Sequence, residues 1–599
     1  MNYLMHIFNA FALLTLSTTS AATCITCPHH TCRINCAFDL GINNSTSIGS
    51  CIPCNQTNQD IVHVTLNLPS IAIIPSLHSL QLGINAIGGT WCPCGSAAHP
   101  CKNGPYNATK DILQLKPSLV RTHDTMLLTP DIYNDGQQHI PWGIRVLTWN
   151  SMYPDLKADP HNISSYNFTL ADLWMQQWDA LSIPRLLRLG CSVNQGPACT
   201  NISQVDVENL SEAFLYFVKH FNDGWGSKNN FKGKSSTSAF LKIKYIEVWN
   251  EPEGAFWTGT IATLQLLLYK TIHKLRQYDS SLYVGPNNAC PFGDCTCNIS
   301  KSDHGYELDA MDAIITNTHN VSLLPNLYSW HEYIYQNPTL TDRLYNTVQN
   351  ELHARNFTSI GNTNKHQYPM QQIITEWNPC AEGSCLKNKE LNAWAAADFG
   401  QTVMVHILLG VNVSMPYPLC AVNTDWGLLS TTTTANSTAL IWRPQAYAFQ
   451  MMSDVLHDTP YSFATQLLPM FDEYNDLPYF STGFINLNRS KINIIYSSRM
   501  QNATDQRNQI LFHFKNMNEN VNVNKEDATE ENSCVKYNVS CYVIDDNGSD
   551  GIARNYVQIG TTETIVIDSN GTKGSVVTLP HSFPGRTPSL MRLELLRVW

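Results

Sequence analysis

Charge is scarce in this chain. Only 14% of its 599 residues are charged, the formal balance is −11, and no run of Lys or Arg occurs. Nucleic acid is bound through a basic footprint that releases counterions, so its absence excludes a nucleic-acid partner. Long apolar runs are also missing beyond the first residues, and no apolar tail suited to a lipid anchor ends the sequence. No membrane span is expected. There is no glycine-rich dinucleotide fingerprint after a strand, no His-Glu-x-x-His helix and no internal repeat. Nothing therefore calls for a nucleotide cofactor or a catalytic metal.

What is present suits a globular chain with more than one core. Hydrophobic residues reach 43%, too many for wholesale disorder, and the length exceeds what one core supports. Aromatics reach 10%, a surplus that sugar clefts and large cores both use.

Residues 1–22 carry an apolar stretch from Leu4 to Leu16 followed by Ser20, Ala21 and Ala22. This reads as a signal peptide, although only His6 could supply the usual basic start. Eighteen Asn-x-Ser/Thr sequons follow, among them Asn107, Asn201, Asn298, Asn412 and Asn488, so N-linked glycans are expected. The 19 cysteines fall in groups: Cys24, Cys27, Cys32 and Cys36, then Cys51 and Cys54, then Cys92, Cys94 and Cys101. The Cys24–Cys27 and Cys51–Cys54 spacings fit a zinc ribbon, but in an oxidising compartment such cysteines form disulfides. The disulfide reading goes with the leader and implies a secreted or secretory-pathway protein. An odd total leaves one thiol free or paired between chains.

Residues 23–60 read as a Cys-rich lead-in. Residues 61–79 begin with the alternating run Ile61–Leu68, a strand expected to join the β-sandwich read below over 457–599. From residue 80 to 456, short apolar runs alternate with amphipathic helical stretches. Strands are expected at Leu82–Ala86, Leu119–His123, Pro184–Leu189, Ile243–Trp249, Leu282–Gly285, Leu327–Trp330, Gln372–Thr375 and Val411–Met415. Helices are expected at Leu170–Leu181, Asn209–Phe221, Ile261–Arg276, Thr341–Arg355 and Ala393–Leu409. Eight such units predict a (β/α)8 barrel. Over 457–599 helical periodicity gives way to alternating runs at Ile492–Tyr496, Gln509–Phe514, Cys541–Ile544, Thr564–Ile567 and Leu590–Val598, which predict an antiparallel β-sandwich. The acidic stretch Asn518–Asn532 reads as a solvated loop.

Two motifs carry chemistry. Ile246-Glu247-Val248-Trp249-Asn250-Glu251-Pro252 is an apolar strand that runs into Asn-Glu-Pro. Proline stops the strand and leaves Glu251 at its C-terminal mouth, where barrel enzymes keep their chemistry. Ile373-Ile374-Thr375-Glu376-Trp377-Asn378 ends another apolar strand in a carboxylate. The 125 residues between Glu251 and Glu376 hold about three βα units, which puts the pair on strands four and seven. A single strand-end Glu is ordinarily a loop carboxylate or an ion-pair partner. Two at this spacing, each beside Trp and Asn, are what glycosidic cleavage needs: a protonated carboxyl for the leaving oxygen and an ionised one for the anomeric carbon or a water.

The chain resembles glycoside hydrolase family 39, the family of β-xylosidases and α-L-iduronidases, over about residues 80–455. Besides the two motifs above, the resemblance rests on Leu119-Val120-Arg121-Thr122-His123, Tyr166-Asn167-Phe168-Thr169, Ser329-Trp330-His331-Glu332-Tyr333 and Arg443-Pro444-Gln445-Ala446-Tyr447-Ala448-Phe449. It implies a retaining glycosidase with Glu251 as acid/base and Glu376 as nucleophile. It assigns Asn250 to the sugar 2-hydroxyl, His123 to the same subsite, and His331 and Tyr333 to the nucleophile's side of the cleft. Arg121 would hold Glu376 ionised, or instead pair with Glu247 inside the barrel. Trp249 and Trp377 would pack the rim. The substrate is then an oligo- or polysaccharide. In the iduronidases an Asp and an Arg after strand eight help hold the substrate carboxylate. Asp425 matches the Asp but no Arg counterpart is found, so iduronate specificity is not implied. The cysteine-rich loops Gly89–Cys101 and Cys290–Cys297 also depart from the family. The alternative class is a carbohydrate-binding protein on a degenerate barrel, but degeneration ordinarily removes a carboxylate and both are kept here.

Overall fold

The computed structural model describes residues 61–68, 76–77, 80–86, 88–93, 105–122, 148–192, 202–226, 241–252, 256–288, 323–333, 370–378, 393–422, 427–434, 437–463, 479–486, 490–498, 509–516, 534–544, 557–568, 575–578 and 589–598. All belong to the compact unit that spans Gln59–Trp599. The leader, the Cys-rich lead-in, the helix expected at Thr341–Arg355 and the acidic stretch Asn518–Asn532 lie outside the described residues.

Eight parallel strands close into a barrel, in chain order Gln81–Asn85, Leu119–Arg121, Arg185–Leu189, Tyr245–Val248, Tyr283–Asn288, Leu327–Tyr333, Gln371–Asn378 and Val413–Pro416. The eighth pairs back onto the first through Val413 and Gln81. Helices Thr169–Ala180, Gln204–Asp223, Ile261–Tyr278, Ala393–Leu409 and Pro444–Asp458 flank it. Their boundaries follow local chemistry. Ser203 and Asp206 form a capping box at the start of Gln204–Asp223, and Gly224 ends that helix in the left-handed region at φ 74°. Pro444 occupies the first turn of the last helix, where a missing N–H costs nothing.

The barrel interior is layered because inward side chains recur every second residue. At the bottom, Tyr245 and Tyr283 stack with ring centres 5.0 Å apart. Leu119, Leu186, Leu327, Ile373, Val413 and Met415 form an apolar plug. Two residues further along the same strands the contents become polar: Arg121 above Leu119, Glu247 above Tyr245, Ser329 above Leu327 and Thr375 above Ile373, all buried. Among the described residues the plug separates this polar layer from the N-terminal end of the barrel.

Beyond the barrel, a seven-stranded antiparallel sheet runs in the order Ser76–Leu77, Tyr461–Phe463, Tyr479–Ile485, Lys491–Ser498, Ser589–Val598, Cys534–Ile544 and Val557–Asp568. Its inner face shares one core with the barrel helices, where Phe484, Ile495, Ile544 and Leu590 join Phe399, Val403 and Phe449. Ser497 donates to the carbonyl of Ala397 at 2.7 Å, which locks sheet to helix. A separate three-stranded sheet holds Ile61–Leu68, Gln509–Asn516 and Ser575–Thr578. Here Ile61–Leu68 pairs with Gln509–Asn516 in parallel, a departure from the all-antiparallel expectation. Parallel pairing is open to it because its partner lies far along the chain and no hairpin joins them. Among the described residues no helix is long and apolar enough to cross a membrane.

Cys92 and Cys420 form a disulfide between the segments after strands one and eight. Cys191 is also disulfide-bonded. Among the described residues Cys541 is a free thiol, and burial pushes it up to about 12.

Candidate active site

Strand four ends in an unusual backbone. Trp249 has φ 73° and Glu251 has φ 40°, both in the left-handed region that costs a non-glycine residue about 1–3 kcal/mol. The conformation is held from several sides. The Trp249 amide donates to Leu189 O at 2.8 Å and its indole to Phe256 O at 2.8 Å. The ring lies against Gly190, at φ 88°, where any Cβ would strike it. The Glu251 amide donates to Asn287 Oδ1 at 3.1 Å. The reversal at Trp249 turns Asn250 and Glu251 toward the barrel axis.

Strand seven reaches the same axis by a bulge. Ser329, Trp330 and His331 pair with Ile373, Ile374 and Glu376, so Thr375 is skipped. The extra residue lets both Thr375 and Glu376 face inward. Trp377 then points out, 4.8 Å from Phe399 between ring centres, with its indole donating to Ser414 Oγ.

Six of the residues singled out in the sequence meet here. Arg121 donates from Nε to Glu247 at 2.6 Å, from Nη1 to Glu376 Oε1 at 2.6 Å and from Nη2 to Asn250 Oδ1 at 2.8 Å. Both partners considered for Arg121 are therefore bound at once. Burial by itself disfavours its charge, but Glu247 and Glu376 outweigh that and push its pKa up. Tyr333 donates to Glu376 Oε2 at 2.8 Å. Burial, then the Glu376 charge, drives the Tyr333 phenol well above its ordinary range, so it stays a donor. His331 Nδ1 lies 2.5 Å from Glu251 Oε1 and 3.5 Å from Glu376 Oε2. Burial lowers the His331 pKa, but the Glu376 and Glu251 carboxylates more than reverse this. His123 and Asp425 lie outside the described residues.

The two carboxylates differ in surroundings. The Glu376 side chain is 5% exposed and held by Arg121 and Tyr333, whereas Glu251 is 22% exposed and meets His331. One oxygen of each, with a His331 nitrogen, falls within a 4.8 Å span. Those three atoms are of a kind that can ligate a cation. However, Glu376 already shares its charge with the Arg121 guanidinium, which repels a further cation.

Four partners were not singled out as site residues: Glu247, named only as an ion-pair alternative, and Asn287, Ser329 and Thr375. Ser329 donates to Glu247 Oε1 at 2.5 Å, and Asn287 reaches all the others. The signal that finds them is the period of two, read past the apolar part of each strand.

No protein-family model matches the chain, and no curated protein matches it. Solved structures do. The chain is similar to a glucosidase from Croceicoccus marinus, with TM-score 0.56 and 14% identity over 90% of this chain and 100% of that one. It is similar to a bacterial orthologue of human α-L-iduronidase, with TM-score 0.55 and 10% identity over 89% of this chain and 84% of that one. It is also similar to an α-L-arabinofuranosidase from Thermotoga maritima, with TM-score 0.52 and 11% identity over 90% and 100%. At these identities the likeness establishes the fold, a closed barrel with added antiparallel sheets.

Proposed function

We propose that this chain is a secreted, retaining O-glycoside hydrolase of the family 39 kind, acting on a xyloside or a related glycoside. The observation that carries the reading is the pair Glu251 and Glu376 at the barrel mouth, with oxygens no more than 4.8 Å apart. Retaining enzymes hold their carboxyl groups about 5–5.5 Å apart, too close for a water between them, so one carboxylate must attack carbon itself. Arg121 favours the ionised form of Glu376, which suits a nucleophile. Glu251 is the more open of the two and suits the group that protonates the leaving oxygen and later deprotonates water. In the first step the Glu376–C1 bond forms as the C1–O bond breaks, and the Glu251 proton goes to the departing oxygen. In the second step water gives its proton back to Glu251 as its oxygen displaces Glu376. Asn250, oriented by Arg121, is placed to meet the 2-hydroxyl. The solved neighbours named as a glucosidase and an arabinofuranosidase are in keeping with this chemistry. Secretion rests on the leader, the sequons and the clustered cysteines.

A panel of chromogenic xylosides, glucosides, galactosides, arabinosides and uronides identifies the sugar. The matching 2-deoxy-2-fluoro glycoside is then expected to trap an adduct that peptide mapping places within Ile373–Asn378. An adduct on another carboxylate overturns the roles, and inverted product stereochemistry by NMR overturns the mechanism.

A further inference from the structure

Asn287 stands at the end of strand five with its side chain fully buried beneath Glu251 and His331. Its amide has one orientation that satisfies its surroundings. Oδ1 accepts the backbone N–H of Glu251 at 3.1 Å. Nδ2 faces Ser329 Oγ at 2.9 Å, and Glu247 Oε1, Thr375 Oγ1 and His331 Nε2 each at 3.2 Å. Turning the amide over would press a carbonyl oxygen against the Glu247 carboxylate and an NH2 against the Glu251 N–H, which no buried site tolerates cheaply.

We propose that Asn287 is a positioning residue that fixes the tautomer of His331, keeping Nε2 unprotonated and thereby leaving the transferable proton of the site on Glu251. The inference rests on the reading of Glu251 as acid/base. An amide NH2 has two hydrogens and no available lone pair, so it can donate to a bare ring nitrogen and is repelled by a ring N–H. The ring proton then sits on Nδ1 and points at Glu251 Oε1, 2.5 Å away. The resting pair must also hold one further proton, the one given to the leaving group, and it has two places to go. On Nε2 it would create an imidazolium beside Glu251 of strand four and Glu376 of strand seven, with Arg121 of strand two opposing. Both carboxylates favour that imidazolium, which is why the His331 pKa is raised, and Arg121 and the Asn287 NH2 oppose it. On Glu251 it meets no such conflict and remains available to the glycosidic oxygen. When it leaves, Glu251 becomes a carboxylate already hydrogen-bonded by Nδ1–H. The same tautomer leaves Nδ1 without a lone pair for a metal.

The first test uses the wild-type full chain labelled with 15N-histidine, with the His331 resonances assigned by their loss in His331→Asn. A long-range 1H–15N spectrum is expected to show Nδ1 protonated and Nε2 bare across the pH range of activity. The second uses Asn287→Asp, whose carboxylate would accept from Nε2–H and draw the proton onto the ring. Its NMR is expected to show both nitrogens protonated. Its turnover of alkyl glycosides should fall by the ~10²–10⁴-fold that general acids contribute, with activated aryl glycosides largely spared. A merely structural role would slow both classes alike. A protonated Nε2 in the wild type, or equal losses on both substrate classes in a folded Asn287→Asp, overturns the assignment. If no glycoside is hydrolysed at all, the functional reading fails by itself, and the wild-type spectrum still decides the tautomer.

Discussion

Arg121 and Glu376 are joined by a 2.6 Å ion pair that shares its cation with Glu247, itself 2.6 Å from the same guanidinium. One planar fork thus neutralises two buried carboxylates and orients Asn250 with its remaining nitrogen. A lysine could not make these bonds, because its ammonium is a single point on a flexible stem. Arg121→Met leaves both carboxylates without a counter-charge, so a loss of about 3–5 kcal/mol is expected in a denaturant titration. On the proposed reading Glu376 would also lose the group that holds it in place, so kcat/KM is expected to fall. A variant as stable as wild type would show that Glu247 and Glu376 do not depend on this cation.

On the proposed reading, Glu251→Gln keeps the size and fold of the site and removes its proton donor. Turnover of ordinary glycosides is expected to drop by ~10²–10⁴-fold. Substrates with strongly acidic leaving groups should suffer least in the first step. Near-normal rates on an ordinary glycoside would remove Glu251 from the role.

Much of this site was legible in the sequence because its two carboxylates end strongly apolar strands. Glu251 follows Ile246 and Val248, and Glu376 follows Ile373 and Ile374, so hydrophobic pattern and chemistry coincide. Strand five was harder. Its apolar run, read as Leu282–Gly285, is followed by Pro286, which argues against continuing a strand. In the barrel Pro286 still keeps register with Val248, and the strand runs on to Asn288. Asn287 is thereby placed in phase with Tyr283 and Gly285, a position that no local propensity marks. The bulge at Thr375 and the left-handed turn at Trp249 were likewise hidden. Both are tertiary solutions, made possible by the Asn287 amide, the Leu189 carbonyl and the bare Cα of Gly190.

Gly190 gives a test of that last point. At φ 88° and against the face of Trp249, it has neither the backbone freedom nor the space for a side chain. Gly190→Ala is expected to lose about 1–3 kcal/mol from the backbone alone. Because Trp249 directly precedes Asn250 and Glu251, kcat should fall more than the loss of folded protein explains. Equal activity per folded molecule would separate the Trp249 turn from the chemistry.

The disulfide Cys92–Cys420 ties together the segments after strands one and eight, where the barrel closes. Reduction is expected to destabilise the chain by about 2–5 kcal/mol, read as a lower unfolding midpoint with dithiothreitol. Thiol titration of the denatured, unreduced chain should reveal few free thiols, Cys541 among them. Most of the 19 cysteines reacting would defeat both the disulfide reading and the proposed secretion.

His406 supplies the pH dependence. It is wholly buried on helix Ala393–Leu409, with its ring 5.6 Å from that of Trp377 and its Nδ1 at 2.9 Å from Ser414 Oγ. Burial alone drops its pKa from 6.5 to about 3. Between those two values the unfolded chain binds a proton at this residue and the folded chain does not. Acid therefore favours unfolding, and stability contributed here is intact above about pH 6.5 and declines as pH falls toward 3, by up to about 1.4 kcal/mol per pH unit. His406→Gln cannot titrate, so its unfolding free energy should fall less steeply over that window, even if it is lower at neutral pH. Parallel stability–pH curves for the variant and the wild type would show that His406 takes up its proton in the folded barrel as readily as in the unfolded chain.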